Sequence, residues 1–121
     1  MLLFVYGTLR RGEANHAHLD DARFVRTACT EPRYELVDLG GYPALLEDGS
    51  TAVIGELYEI DSSRLERLDA FEDVPTLYQR KSIRLADIEA EVYVMERDRA
   101  HRAPRIVDGD WSTSRSDRRS Q

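Results

Sequence analysis

The sequence predicts an α+β fold, a compact barrel or strongly curled sheet with one helix packed against it. Three observations carry this expectation. Most of the 121 residues fall into short apolar or alternating runs separated by turn residues, the pattern of a strand-rich domain. One stretch, beginning near residue 61, switches to helical spacing. The chain is long enough for one modest core and little more, so strands and helix must share it.

Residues 2–6 form an uninterrupted β-branched and aromatic run, expected as a strand buried on both faces. The run stops at Gly7. Lacking a Cβ, Gly7 can take a positive φ and admit the atoms of another molecule. Successive N–H groups of Gly7, Thr8 and Leu9 can then point one way and form a small anion cradle. The plainer reading, that Gly7 merely ends a strand, stays open at this point. Residues 14–22 read as a short helix, with Asn15 as N-cap and Leu19 facing inward. Residues 24–30 and 34–38 read as strands around a Glu31-Pro32 turn. Gly40 and Gly41 before Tyr42 suggest a bulge or a close backbone approach, and extended structure resumes over 44–47. Asp48-Gly49 marks a tight turn before a long strand over 51–60. In that strand Ile54, Glu56 and Tyr58 share one face, and Val53, Gly55 and Leu57 the other.

The helix starts at Asp61-Ser62-Ser63, with Ser63 and Glu66 spaced as a capping box. It should end near Asp73, because Pro75 disfavours helical backbone at Val74. Two more strands follow over 76–85 and 90–95, joined near Asp87. Residues 97–104 read as a charged loop and 106–111 as a last strand piece. Residues 112–121 contain no apolar side chain and read as a disordered polar tail. The domain is therefore placed at 1–111.

Composition narrows the function. The chain is 41% apolar and 33% charged, with a net charge of −6. From Arg97 onward seven arginines stand against four acids, a local +3 that leaves −9 on the preceding residues. A body of that sign repels nucleic acid. No apolar run is long enough to cross a bilayer, and no signal peptide is expected ahead of the first strand. Cys29 is the only cysteine, so an internal disulfide is impossible and a cytoplasmic location is expected. Cys29 itself reads as a small core residue. His16 and His18, two apart, point to different faces of a helix, and no metal site is expected. His101 reads as solvated. There is no Gly-x-Ser-x-Gly elbow and no Walker loop.

One carboxylate falls on an unexpected face. Leu65, Leu68 and Glu72 stand at i, i+3 and i+7, one stripe of a helix. The leucines aim that stripe at the core, so Glu72 is aimed inward, whereas Glu66, Arg67, Asp69 and Asp73 fall on or near the outer face. An inward carboxylate costs free energy unless it is paired or performs chemistry. Partial burial raises its pKa toward neutrality, where it can act as acid and base. The alternative is a half-exposed Glu72 in the last turn, paired with Arg80. Tyr6, Tyr34, Tyr42, Tyr58 and Tyr78 read mostly as core or rim residues, some able to line a pocket.

Five segments together resemble the gamma-glutamylcyclotransferase-like family, which includes gamma-glutamylamine cyclotransferases and AIG2-like proteins. They are Val5-Tyr6-Gly7-Thr8-Leu9-Arg10-Arg11-Gly12, Gly41-Tyr42-Pro43-Ala44, Gly55-Glu56-Leu57-Tyr58-Glu59-Ile60, Leu68-Asp69-Ala70-Phe71-Glu72 with Pro75, Tyr78 and Arg80 after it, and Gly109-Asp110-Trp111. They run in the family's order and cover the chain nearly to Trp111. The resemblance implies a small mixed β-barrel flanked by helices. It implies that the loop of Tyr6, Gly7, Thr8 and Leu9 holds a glutamyl α-carboxylate and amine, that Glu72 is the general acid/base, and that Tyr78, with Arg80, closes the pocket. The implied reaction is attack of a gamma-glutamyl α-amine on its own γ-carbonyl, giving 5-oxoproline and a released amine. It implies a small-molecule gamma-glutamyl substrate and no metal, nucleotide or other cofactor. Two other readings compete: a non-enzymatic module that binds a small acid in the same pocket, and an interaction protein using the arginine-rich tail.

Overall fold

The computed structural model describes residues 1–100 and 102–112. Its central strand is β1 (Leu2–Val5), with Leu3, Phe4 and Val5 all buried. Leu3 and Val5 face one core cluster while Phe4 and the following Tyr6 face the other. The double burial read from the unbroken apolar run is therefore present.

Six further strands follow: β2 (Arg23–Cys29), β3 (Tyr34–Asp38), β4 (Pro43–Glu47), β5 (Ile54–Glu59), β6 (Gln79–Leu85) and β7 (Ile88–Val94). Five of them form a mixed sheet in the order β2-β5-β1-β7-β6, with β1 antiparallel to β5 and parallel to β7. β3 and β4 make a separate antiparallel ribbon. The ribbon meets the five-stranded sheet where the Met95 N–H, just past β7, donates to Leu45 O at 3.0 Å, while isolated bridges tie β3 to the loop residues Thr51 and Arg105. Among the described residues these are isolated bonds rather than a ladder, so the fold is mixed α+β but the strand pairing does not close the expected barrel.

Helix α1 (Ser62–Phe71) buries Leu65 and Leu68, the two leucines of its predicted stripe. Removing each leucine side chain from water contributes roughly 1.5–3 kcal/mol. Its cap differs from the expectation. Asp61, not Ser63, is the N-cap, and its carboxylate accepts the Arg64 N–H at 2.8 Å. Ser63 lies two residues further on, inside the first turn, and its hydroxyl accepts from Arg67 Nη1 at 3.5 Å. The chain leaves the helix at Glu72, and Asp73 takes a left-handed backbone with φ 56°.

Several local expectations change. The helix over 14–22 is a single 3-10 turn, His16–Leu19, and Asn15 makes no side-chain cap; Leu19 is buried as expected. The Gly40-Gly41 bulge is the turn of the β3–β4 hairpin, with Gly40 at φ 104°. The long strand over 51–60 starts only at Ile54, with Thr51 in an isolated bridge. The loop over 97–104 contains a short helix, α2 (Arg97–Ala100). Residues 106–111 form no strand, although Ile106 and Trp111 are buried. Cys29 is exposed rather than in the core, because it ends β2, an outer strand of the sheet. Of the tail over 112–121, all but Ser112 lies outside the described residues, as does His101. No helix among the described residues is long and apolar enough to cross a membrane.

Leu68, only 1% exposed, anchors α1 to the sheet. Leu68→Ala should therefore lower unfolding stability by about 2–5 kcal/mol in a denaturant titration. A loss below about 1 kcal/mol would show that α1 is held by something else.

Candidate active site

A cavity of about 360 Å³ opens between β1, the loop after it, the start of β4 and the end of α1. Tyr6, Gly7, Thr8, Leu9, Glu72 and Tyr78, picked from the sequence, all line it, whereas Arg80 does not. Asn15, Tyr42, Pro43, Phe71 and Tyr93 also contribute to its walls, and sequence reasoning did not place them there as a set.

The loop after β1 is fixed through its carbonyls. Gly7 O accepts from the Arg10 N–H at 3.0 Å, Thr8 O from the Asn15 N–H at 2.9 Å, and Leu9 O lies 2.8 Å from His16 Nδ1. A carbonyl only accepts, so that nitrogen of His16 carries the proton. The Asn15 side chain adds a bond to Thr8 Oγ1 at 2.9 Å. Among the described residues the N–H groups of Gly7, Thr8 and Leu9 have no protein acceptor. A row of unused donors beside a cavity is a site for an anion.

Gly7 serves this loop by a different route from the one expected. It does not take a positive φ; Gly12 does, at 80°. Instead, a Cβ on Gly7 would fall 2.8 Å from Pro43 Cδ and closer still to Cγ. The missing side chain lets the loop pack directly on the start of β4.

Of the four tyrosines that line the cavity, Tyr6, Tyr78 and Tyr93 spend their hydroxyls on the fold. Tyr6 OH donates to Tyr93 O at 2.7 Å and accepts the Leu45 N–H at 3.2 Å. Tyr78 OH donates to Pro43 O at 2.8 Å, and Tyr93 OH to Asp69 Oδ1 at 2.8 Å. Burial, followed by neighbouring ionisable groups that include Glu72, pushes the Tyr6 and Tyr78 hydroxyls well above their ordinary range. They stay neutral where they line the cavity.

Glu72 is the exception. It closes α1 as its C-cap residue, half-buried, and among the described residues its carboxyl makes no hydrogen bond or ion pair. Arg80, its alternative partner, instead bridges Asp69 at 2.9 Å and Glu91 at 2.6 Å. Asp69, expected near the outer face, is thereby drawn into a half-buried network with Arg80 and Tyr93. Arg80 does not line the cavity. Burial alone lifts the Glu72 carboxyl from 4.5 to about 7. The carbonyl end of a helix, with its partial negative charge, pushes the same way. A carboxyl poised at neutrality beside an anion cradle can bind a charged group and shuttle a proton next to it.

Residues 3–113 match the family model described as gamma-glutamyl cyclotransferase, AIG2-like. A Vibrio cholerae protein named "Putative gamma-glutamylcyclotransferase" is 43% identical over 111 residues, covering 91% of this chain and 94% of that protein. The Mus musculus gamma-glutamylaminecyclotransferase is 40% identical over 98 residues, covering 74% of this chain and 66% of the mouse protein. Among solved structures, an uncharacterized protein from Pyrococcus horikoshii superposes with a TM-score of 0.83 at 25% identity, covering 100% of this chain and 98% of that one.

The raised Glu72 pKa has a consequence for stability. The folded protein holds this proton more tightly than the unfolded chain. Ionising Glu72 therefore costs folded-state stability, and the cost builds as pH rises from 4.5 to about 7. Glu72→Gln removes the charge and should raise stability at pH 8 by roughly 1–3 kcal/mol. The gain should vanish near pH 4, where Glu72 is protonated in both states. Melting curves of the two proteins at both pH values check this; an equal difference at both would refute the raised pKa.

Proposed function

The chain belongs to the gamma-glutamyl cyclotransferase, AIG2-like family, and on that premise we propose that it releases an amine from a gamma-glutamyl compound as 5-oxoproline forms. The single observation that carries this reading is the unpaired Glu72 carboxyl in the cavity that also holds the free N–H groups of Gly7, Thr8 and Leu9.

The substrate supplies its own nucleophile. The α-nitrogen attacks the γ-carbonyl carbon, a C–N bond forms and closes a five-membered ring, and the former amide C–N bond breaks. The α-nitrogen starts as an ammonium and ends as a lactam N–H, while the leaving nitrogen starts as an amide N–H and ends as an ammonium. Two protons therefore pass from the first nitrogen to the second. Glu72 takes each from the α-nitrogen and returns it to the leaving nitrogen, which a carboxyl half-ionised near neutrality can do in both directions.

The cradle binds the α-carboxylate, and the ring faces of Tyr6 and Tyr78 hold the glutamyl chain folded back on itself. Fixing the reacting atoms together in this way is worth up to roughly 7–11 kcal/mol of barrier. A protein that only bound a small acid would gain nothing from an unpaired carboxylate in the same cavity, since like charges repel.

A panel of gamma-glutamyl amines, with mass detection of 5-oxoproline and of the released amine, tests the activity and identifies the leaving group. In the parent protein kcat/KM should rise with pH through about 7, because Glu72 must be ionised to accept a proton. Glu72→Gln should lose roughly 100- to 10,000-fold in kcat while still binding 5-oxoproline in a calorimeter. Full turnover by that variant would remove Glu72 from the mechanism.

A further inference from the structure

Two motifs take no part in the chemistry above: Gly55-Glu56 in β5 and Gly109-Asp110-Trp111 near the end of the chain. In three dimensions they meet at Arg10. The Arg10 guanidinium lies between Glu56, Nε to Oε2 at 3.8 Å, and Asp110, Nη1 to Oδ1 at 2.9 Å. Little of the three side chains reaches solvent: 12% for Arg10, 11% for Glu56 and 22% for Asp110. Glu56 is further held by the Arg11 N–H and by Tyr58 OH, both on Oε1 at 3.0 Å. Trp111, 1% exposed, donates from Nε1 to Glu13 Oε1 at 3.1 Å. The Ile54 N–H fixes Gly109 O at 2.9 Å, which ties the same segment to β5.

None of Arg10, Glu56 and Asp110 lines the cavity. Yet the Arg10 N–H closes the turn on Gly7 O, with Thr8 and Leu9 between them, so the guanidinium is carried by the same turn as those amides; Leu9, 5% exposed, is also anchored by its own side chain in the core. Residues 10–13 are arginine, arginine, glycine and glutamate, and no apolar side chain among them anchors this half of the loop. The charged contacts do so instead. Asn15 and His16 secure the other half, from the far side.

We propose that Arg10, gripped between Glu56 and Asp110, is a positioning residue that sets the affinity of the Gly7–Leu9 amide cradle for a carboxylate it never touches. Through it, a segment a hundred positions away in sequence acts as a strap on the binding loop. This rests on the reading of that cradle given above. Lysine cannot replace the arginine here, because a single ammonium lacks the planar fork that spans two carboxylates.

The experiment uses the full chain with Asp110→Asn and, separately, Arg10→Lys. It measures kcat, KM, the pH midpoint of kcat/KM, and 5-oxoproline binding by calorimetry below the melting temperature. Each variant should raise KM and weaken 5-oxoproline binding roughly tenfold, the usual worth of a charge-assisted hydrogen bond. kcat should stay within about threefold, since loss of binding shared by substrate and transition state appears in KM. The pH midpoint should not move, because Glu72 is untouched. Parental KM and binding in both folded variants would overturn the proposal, as would a fall in kcat at unchanged KM. If Asp110→Asn does not fold, Arg10→Lys alone decides. A parent protein that yields no 5-oxoproline from any gamma-glutamyl amine contradicts the reaction, a result distinct from either of these.

Discussion

The cavity is organised around one carboxyl left without a partner. Glu72 stands at the C-cap of α1, half-buried, with no ion-pair partner among the described residues. Burial alone raises its pKa to about 7. Buried acids are ordinarily paired or neutralised, and this chain shows both outcomes. Glu56 is the more buried in terms of surface, 8% exposed, but an arginine, a backbone N–H and a tyrosine hydroxyl surround it. It serves as a fixed structural anion, whereas Glu72 is left free to gain and lose a proton.

The rest of the cavity keeps other polar groups away from that carboxyl. The hydroxyls of Tyr6, Tyr78 and Tyr93 are committed to backbone carbonyls or to Asp69. The cation that could have neutralised it, Arg80, is occupied by Asp69 and Glu91. Carbonyls of the loop after β1 are used up by Arg10, Asn15 and His16, so the unused groups of that loop are its donors. What stands out in the chamber is one acid without a partner and a row of N–H groups.

Much of this was legible in the sequence because it depends on periodicity. The unbroken run before Gly7 pointed to a doubly buried β1, and the Leu65, Leu68, Glu72 stripe placed the acid on the inward face of α1. Features set by distant partners were not legible. The missing Cβ of Gly7 matters because Pro43 packs there, not because of a positive φ. Asp69 looked solvent-facing, yet Tyr93 and Arg80 from β7 and β6 draw it inward. Cys29 had a core-like setting in its strand, but no local pattern shows that β2 lies at the sheet's edge. Barrel closure is likewise not readable from strand count, which does not fix which ladders join; the described residues pair as two sheets. The Arg10 node, built from segments 45 and 100 residues apart, lay beyond any local rule.

The most direct test of the central claim is a pH titration of the Glu72 carboxyl carbon by NMR in the selectively labelled protein, assigned by loss of the signal in Glu72→Gln. The account requires a midpoint near 7. A midpoint in the ordinary glutamate range, near 4.5, would mean that the side chain is solvated or paired, and would contradict the claim that the cavity holds a working acid and base.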